Sequence, residues 1–174
     1  MSSRIPMIFC VFALGVSACA QTPFRLVLHP APALEITTLL SKAEQALHQD
    51  GDPGKAASLA KKALKKDPAS ARAHRLLLLL ALLRDDQDAG FGHGMAALAD
   101  WRNRLVGLDL GIVGPMARTQ DRLQRLVPLL EDISTRHPDP QARASALGPL
   151  ADIWLTRGNL AAAREALKRR HLLD

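Results

Sequence analysis

An all-α fold built from antiparallel helix hairpins is predicted by this sequence, on the basis of three observations. Alanine and leucine dominate a composition that is 48% hydrophobic but only 3% aromatic, and tyrosine is lacking. Such a composition favours helices, because strands prefer β-branched and aromatic residues. Apolar residues also recur at helical spacing, and aspartate, glycine and proline stand where one helix would stop and the next begin.

The chain opens with a leader of the secretory type. Arg4 precedes an uncharged run over residues 5–16, and the small residues Ser17 and Ala18 follow. Basic, apolar and small residues in this order are typical of a signal peptide. The run is too short for a transmembrane helix, which takes about 20 apolar residues. We therefore expect residues 1–18 to be a signal peptide that is removed.

The end of the leader, Val16-Ser17-Ala18-Cys19, resembles the lipobox of bacterial lipoproteins. The resemblance implies cleavage before Cys19 and attachment of acyl chains, palmitate among them, to the mature protein's new first residue. In this family Ala20, in place of an aspartate, implies sorting to the outer membrane, facing the periplasm. Two or three acyl chains make such an anchor effectively permanent, since each buried methylene contributes ~0.8 kcal/mol.

Cysteine usage agrees with a lipid anchor. Cys10 lies inside the leader, so Cys19 would be the only thiol of the exported domain, which then has no intramolecular disulfide. Two other outcomes remain open: ordinary cleavage at Ala18-Cys19-Ala20, which would release a soluble protein, and a leader that is not cleaved.

Residues 19–33 are predicted to be the lipidated cysteine and an extended, proline-containing tether. At roughly 3 Å per residue, the tether allows about 40 Å between the lipid and the first helix.

A helical domain is predicted over residues 34–174, and its first hairpin is well marked. Gly51 can end the first helix in a left-handed conformation, Asp52 can cap the second, and Pro53 fits the first turn, where no amide hydrogen is needed. The second helix is expected to close at Asp67-Pro68, because a residue before proline disfavours helical geometry.

Residues 37–70 resemble a tetratricopeptide repeat, whose period is 34 residues. The positions that carry the resemblance are Leu40, Ala43, Leu47, Gly51, Ala56, Ala60, Ala63 and Pro68. The resemblance implies a right-handed α-solenoid of antiparallel hairpins, in which small residues let paired helices approach closely. Enlarging Ala60 or Ala63 should therefore overpack the first hairpin.

The end of the chain repeats the same spacing independently. The matching positions are Leu147, Leu150, Ala151, Trp154, Gly158, Ala163 and Leu167. Gly158-Asn159 would form the turn of this last hairpin. Gly51 and Gly158 lie 107 residues apart (158 − 51), which is three periods of 34 plus five, so two degenerate repeats fit between them.

The middle of the chain is less regular. A helix is predicted over residues 71–84, an acidic, glycine-rich loop over 85–94, and a partner helix over 95–105. Glycines at positions 107, 111 and 114 then predict a break. We expect about seven helices in all, with a degenerate third repeat.

Two prolines shape the prediction that follows this break. Pro115 is expected to open a helix that reaches Thr135, and Pro128 is expected to kink it. Asp139-Pro140 repeats the cap-plus-proline signal of the first hairpin and is expected to start the last one.

No constellation in the sequence indicates chemistry. None of the six histidines pairs at i,i+4 or with a cysteine or carboxylate at metal-ligand spacing, and no serine lies in a G-x-S-x-G elbow. The glycines of 90–94 precede the predicted helix in the manner of an anion-binding loop, but no strand precedes them and no lysine follows. We therefore predict no catalytic residue, no metal, no cofactor and no enzymatic activity.

The repeat resemblance also implies a function. Such solenoids bind peptides or protein segments along the concave face, which the first helix of each repeat lines. The predicted partner-binding residues are Thr38, Ser41, Gln45, His48 and Gln49 in the first repeat, and Arg72 and Arg75 in the second. We expect a periplasmic protein-interaction scaffold or assembly factor for secretion, pili or the envelope, with no affinity for nucleic acid.

The charge of the chain supports an alternative. The formal net charge is +6, and the second helix carries a lysine patch formed by Lys61, Lys62, Lys65 and Lys66. A structural envelope protein would use this patch to associate with anionic lipid or polymer. The same residues also suit an ordinary solvated helix face.

Trp101 and Trp154 lie at helical spacing among apolar residues and are predicted to be in the core.

Overall fold

A computed structural model describes residues 34–173, and this part of the chain is all-α. The predicted signal peptide, Cys19 and the tether lie outside the described residues. The helices are α1 (Leu34–His48), α2 (Pro53–Lys66), α3 (Ala71–Leu82), α4 (Gln87–Ala99), α5 (Val106–Met116), α6 (Gln120–Arg136), α7 (Pro140–Thr156) and α8 (Leu160–His171). Among residues 34–173, no helix is both long and apolar enough to cross a bilayer.

The predicted helix boundaries at the two ends of the domain are confirmed. Gly51 adopts a φ of 63° after α1, and the Asp52 side chain accepts the amide hydrogen of Lys55 at 2.8 Å to cap α2. Gly158 has a φ of 73°, and the side chain of Asn159 caps α8. Asp139 likewise caps α7, which begins at a proline. Each device works for the reason expected from sequence, because glycine tolerates positive φ and a short polar side chain satisfies an unpaired helix amide.

The helices pack mainly against their neighbours in the chain. The pairs α1/α2, α3/α4 and α7/α8 form the closest antiparallel hairpins. Successive hairpins stack through contacts of α1 with α3, α4 with α6, and α5 with α7. The predicted fold class is therefore confirmed at the level of an all-α, solenoid-like stack of hairpins.

Small side chains form the core of the first hairpins. Five alanines of α1 and α2 are completely enclosed, with no exposed surface: Ala43, Ala46, Ala56, Ala60 and Ala63. They pack with leucines of α1 and α3 in one hydrophobic cluster. The predicted close approach of α1 and α2 is thus present, and it rests on residues whose side chain is a single methyl group.

The glycine-rich segment predicted to be a loop is instead part of a helix. Residues 87–94 form the first two turns of α4, capped by Asp86, so the predictions of a loop over 85–94 and of an anion-binding loop over 90–94 are wrong. The glycines serve helix packing. A Cβ on Gly94 would overlap Cγ2 of Val113, and one on Gly90 would lie 2.9 Å from the Cε atom of Met116. Glycine here allows α4 and α5 to touch.

The segment after α4 also differs from the prediction. The chain leaves α4 after Ala99 and passes through a connection of residues 100–105, so the predicted helix over 95–105 is wrong in its second half. The predicted break over residues 107–114 is α5. Apolar packing on α4 and α7 outweighs the low helix propensity of its glycines.

The structure has eight helices over residues 34–173, one more than expected. Pro115 lies inside the last turn of α5 and does not open the next helix, which begins at Gln120 with Thr119 as its cap. This helix, α6, continues through Pro128 to Arg136. In the third repeat α5 packs against α4 and α7, and α6 packs against α7, so these two helices do not form a close hairpin.

The two tryptophans occupy different environments. Trp154 is half-buried on α7 and packs against the large central cluster, in keeping with its prediction as a core residue. Trp101 is also half-buried, but it lies in the 100–105 connection, where it lines a surface cavity. Its prediction as a helical core residue is wrong, because α4 ends two residues before it.

Candidate partner-binding face

The 100–105 connection is held in place by a buried network of charges. Asp109 on α5 has no exposed surface, and its two carboxylate oxygens accept hydrogen bonds from Nε and Nη2 of Arg75 at 2.6 and 2.7 Å. Asn103 donates to the same carboxylate at 2.7 Å and to the carbonyl of Ala97 at 2.9 Å. The carboxylate is thus paired in bidentate fashion with one arginine, the geometry that makes a buried charge pair tolerable.

A second arginine fixes the other end of the connection. Arg102 donates to Asp100 at 2.8 Å within the connection and to Asp67 at 2.8 Å in the turn before α3. Burial by itself would lower the pKa of the Arg102 guanidinium, but the hydrogen bonds and charges of Asp100 and Asp67 outweigh it and raise that pKa. Asp100 also accepts the amide hydrogen of Ala71 at 3.0 Å, so it caps the start of α3 from a distant part of the chain.

Several side-chain contacts join residues at a nearly constant separation in the sequence. Four side-chain contacts have sequence separations of 34 or 35 residues: Arg75 with Asp109, Arg102 with Asp67, Arg122 with Asp88, and Arg169 with Ser134. Equivalent positions of stacked repeats lie side by side, so a constant separation is what stacking produces. The separation is maintained through the irregular middle.

Two cavities adjoin the connection, on either side of it. The smaller, of about 290 Å³, lies between it, α1 and the start of α3. The larger, of about 530 Å³, lies between it and the turn that joins α6 to α7. Arg102 and Arg104 line both. We call these two cavities, with the connections at 67–70, 100–105 and 137–139 that border them, the inter-repeat groove.

The predicted partner-binding residues of α1 lie beside this groove but do not line it. Thr38, Ser41, Gln45 and His48 are exposed on α1, and Gln49 is exposed directly after its end. Ser41 accepts a hydrogen bond from Arg72 at 3.3 Å, and Thr38 donates to the carbonyl of Leu34 at 2.9 Å. The structure therefore brings Ser41 and Arg72 together, and it leaves the side chains of Gln45 and Gln49 at the surface.

The two predicted arginines of α3 have different surroundings. Arg72 lies at the edge of the smaller cavity and pairs with Glu44 of α1, with Nε to carboxylate oxygen at 2.7 Å. The hydrogen bond from Arg72 lowers the pKa of Glu44. The Arg75 side chain is only 16% exposed, and its guanidinium is engaged with Asp109 and Asn103. Arg75 thus supports the groove from inside, and its charge is not available at the surface.

Three histidines lie near the connections: His74 and His93 are half-buried, and His137 is buried. His74 and His93 place their Nδ1 atoms 3.1 Å apart, and Nε2 of His74 lies 2.9 Å from the carbonyl oxygen of Pro68. A carbonyl only accepts, so His74 carries its proton on Nε2 and its Nδ1 accepts from His93. Burial lowers the pKa of both rings, which favours this neutral pair.

His137 lies in the wall of the larger cavity. It is 1% exposed, and its Nδ1 accepts the amide hydrogen of Asp139 at 3.1 Å. The proton of the neutral ring is therefore on Nε2, which is enclosed, and the ring also interacts with the backbone of Asn103. Burial lowers the pKa of His137. Within residues 34–173, no group of three or more histidine, cysteine or acidic side chains is placed to hold a metal ion.

The sequence prediction missed the residues that shape the groove. Trp101, Arg102 and Arg104 were assigned to a helix, and Asp109 to a glycine-spaced break. One signal was available: Asp109 is a lone carboxylate between leucines in an otherwise apolar segment, and a buried charge of this kind requires a partner. Nothing in the sequence identifies that partner as Arg75.

No known protein family matches the chain, and no curated protein is significantly similar to it in sequence.

Proposed function

We propose that this protein is an outer-membrane lipoprotein whose tetratricopeptide-like domain acts as a periplasmic scaffold for a partner protein, without enzymatic activity of its own. The lipobox ending at Cys19 supports the anchor. The four contacts at separations of 34 or 35 residues support the repeat assignment, since that is the period of the family. Secretion, pilus assembly and envelope assembly are the processes that such a scaffold would serve.

The observation that carries the scaffold proposal is the inter-repeat groove. Its walls are preorganised, because Arg75 and Arg102 fix the 100–105 connection through buried ion pairs. A preorganised groove loses little conformational entropy when a partner segment enters, which favours binding. On α1, Thr37 and Leu40 line the smaller cavity and the exposed Ser41 accepts a hydrogen bond from Arg72 at its edge, so α1 adds to the surface that one extended segment can contact.

The anchor is tested by metabolic labelling with a palmitate analogue. Wild-type protein should take up the label and fractionate with the outer membrane, and Cys19→Ser should take up none and keep its leader or be misprocessed. Unlabelled wild-type protein that begins at Gln21 would show that the leader is an ordinary signal peptide.

The scaffold is tested by crosslinking and pull-down from membranes. Gln45→Arg with Gln49→Arg changes one exposed residue of α1 and one directly after it, and should remove one specific partner. Ser58→Arg, on the exposed face of α2, is the matched control and should leave recovery unchanged. Loss of the same partner from both variants would mean that the added charge, and not the α1 surface, determines recovery.

A second candidate function rests on the lysine patch. Lys61, Lys62 and Lys65 are exposed, while Lys66 pairs with Glu35 at 2.9 Å. A structural protein that associates with anionic lipid or polymer would use these lysines as a diffuse charge. Replacing the first three with glutamine should then abolish recovery of all partners at low salt, where attraction between charges is strongest. At physiological ionic strength the attraction is screened beyond roughly 8 Å, so recovery of the wild type should also fall there. The scaffold proposal expects the specific partner to survive that change.

A further inference from the structure

We propose that His74 of α3 and His93 of α4 form a binding site for a divalent transition-metal ion, with their two Nδ1 atoms as the ligands from the protein. Neither histidine lines the cavities of the inter-repeat groove, so this inference is independent of the scaffold function. The two residues lie 19 positions apart on different helices, so no local spacing in the sequence indicates the pair.

The spacing of the two nitrogen atoms fits a shared ion. The Nδ1 atoms of His74 and His93 are 3.1 Å apart. Two ligands at about 2.0–2.1 Å from one ion lie roughly 3.3 Å apart in a tetrahedral arrangement and roughly 2.9 Å apart at a right angle. The ring centroids are 5.3 Å apart and the rings are tilted by 39°, so the rings meet at their nitrogen edges and are not stacked face to face. Only a small adjustment is therefore needed to admit an ion.

The orientation of His74 is that of a metal ligand. Its Nε2 donates to the carbonyl oxygen of Pro68 at 2.9 Å, which leaves the lone pair of Nδ1 directed towards His93. A histidine that binds a metal almost always donates its other ring hydrogen to a carbonyl, a carboxylate or water, because this hydrogen bond fixes the tautomer and the ring.

The other ring has to change its tautomer when an ion binds. In the neutral pair Nδ1 of His93 donates to Nδ1 of His74, so the lone pair of the second ring is not yet free. Binding of an ion requires the proton of His93 to move from Nδ1 to Nε2, and no proton is released overall. His93 is half-buried, so solvent can reach the ring and carry this exchange.

The charges around the pair are negative in sum. The carboxylates of Asp67 and Asp100 favour a positive charge at the first ring, and that of Asp86 favours one at the second. Two cations oppose them: Arg102, which pairs with the first two carboxylates, and Lys61, which acts on the second ring. Three carboxylates against two cations leave an excess of negative charge, which attracts a metal cation.

The ligand type determines which ions are expected. Imidazole suits Cu²⁺, Ni²⁺ and Zn²⁺, with Cu²⁺ bound most tightly, whereas Mg²⁺ prefers oxygen ligands. Within residues 34–173, no third histidine, cysteine or acidic side chain joins the pair to complete a ligand set. The remaining coordination positions would therefore hold water or a ligand brought from outside, as in an open site and unlike a closed structural one.

The test uses the full-length lipidated protein in detergent, freed of metal by a chelator that is then removed. Isothermal titration calorimetry is carried out with Cu²⁺, Ni²⁺, Zn²⁺ and Mg²⁺ in separate experiments. One Cu²⁺ should bind per chain and more tightly than Ni²⁺ or Zn²⁺, and Mg²⁺ should not bind. Pulsed electron paramagnetic resonance of the copper complex counts coordinated imidazoles and should show two, a result that needs no variant.

His74→Asn and His93→Asn should each weaken binding of Cu²⁺ by about tenfold or more, since loss of even an outer-shell partner typically costs about 10–100-fold. The ion should raise the midpoint of thermal unfolding of the wild type, because it binds the folded state, and should raise it less in either variant. His48→Asn is the matched control, since His48 is an exposed histidine of α1, and it should change the affinity by less than about twofold. Unfolding without metal shows whether each variant is folded.

Three results would overturn the metal site: copper coordinated by fewer than two imidazoles in the wild type, unchanged affinity of both folded variants, or an equal loss in His48→Asn. If an asparagine variant does not fold, the imidazole count in the wild type decides alone. The scaffold proposal is not affected by any of these results, because recovery of a partner from membranes is measured separately.

Discussion

The start of the domain, from α1 to α3, and its middle, from α3 to α7, contrast in what brings their helices together. Between α1 and α3, enclosed alanines and leucines form an apolar cluster, and the ion pairs of α1 and α2 lie at the surface. Between α3 and α7, the 100–105 connection depends on the buried carboxylate of Asp109, and α4 approaches α5 through glycine. Alanine packing recurs along a helix face and is visible in a sequence, whereas a charge pair between distant residues is not.

This contrast predicts different sensitivities to mutation. The first region should suffer from added volume and tolerate changes of charge. The middle should suffer most when one member of an ion pair is removed, because a buried charge is then left without a partner. The four changes below test this difference, in decreasing order of expected effect.

Asp109→Ala is expected to be the most damaging substitution. It leaves the Arg75 guanidinium, only 16% exposed, without its carboxylate. Removing one partner of a buried pair costs about 3–5 kcal/mol. Urea unfolding followed by circular dichroism should show a lower midpoint with an unchanged slope, the sign of a loss of stability.

Two controls accompany this variant. Asp152→Ala removes an exposed carboxylate of α7 and should change stability by less than about 0.5 kcal/mol. Combining Asp109→Leu with Arg75→Met should recover much of the loss, because an apolar pair contains no unpaired charge. If Asp109→Ala is no worse than Asp152→Ala, the buried pair does not hold the middle together.

Ala60→Leu tests the first region by adding volume to its core, where Asp109→Ala removes a charge from the middle. Ala60 has no exposed surface and lies between helices that touch, so the added volume should cost about 1–3 kcal/mol. Thermal unfolding of the intact protein measures the change. Ser58→Leu adds the same side chain to the exposed face of α2, and its midpoint should stay close to wild type. An unchanged midpoint for Ala60→Leu would contradict the packing of α1 on α2.

Gly94→Ala and Gly92→Ala should move stability in opposite directions although both lie in α4. The new Cβ at position 94 would overlap the stiff, β-branched Val113, whereas the one at position 92 meets nothing within 4 Å. Alanine gains roughly 1 kcal/mol of helix propensity over glycine at either site. Overpacking of about 1–3 kcal/mol at Gly94 should outweigh this gain. Chemical denaturation measures the free energy of unfolding of the two variants. If both variants were more stable than wild type, α4 and α5 would not be in close contact at Gly94.

The smallest effect expected is a dependence of stability on pH through His74 and His93. Burial lowers the pKa of both rings, and the charges of His74 and Lys61 lower that of His93 further. Below the ordinary histidine pKa of about 6.5, the unfolded chain therefore binds more protons at these sites than the folded protein does. Their stabilising contribution is present above that pH and is lost as the pH falls through the folded-state values.

The charged groups around this pair partly oppose the loss. The carboxylates of Asp67 and Asp100 raise the pKa of His74, and that of Asp86 raises the pKa of His93. Replacing both histidines with asparagine should flatten the curve of unfolding free energy between pH 7.5 and 5, with the change in slope near pH 6.5. His48→Asn, at an exposed position of α1, should leave the curve as it is. A slope unchanged by the double variant would assign the dependence to other groups.

How much could be predicted differs between the two ends of the domain and its middle. The first and last hairpins followed from local signals: Gly51 and Gly158 at positive φ, aspartate and asparagine caps, and a proline in the first turn of α2 and α7. Each of these residues affects only the backbone of its close neighbours in the chain, so it has the same effect in any fold. The all-α class and the close packing at Ala60 follow from the same short-range rules.

The middle and the groove were decided by tertiary structure. A glycine-rich segment became α4 because its glycines face α5, and the sequence cannot distinguish a glycine required by a neighbouring helix from one that marks a loop. The partners Arg75 and Asp109 lie 34 residues apart, and only the packing of α3 and α5 in the folded domain places them in contact. Periodicity and caps act along the chain and can be read from it, whereas a cavity or a buried ion pair depends on which distant residues the packed helices bring together.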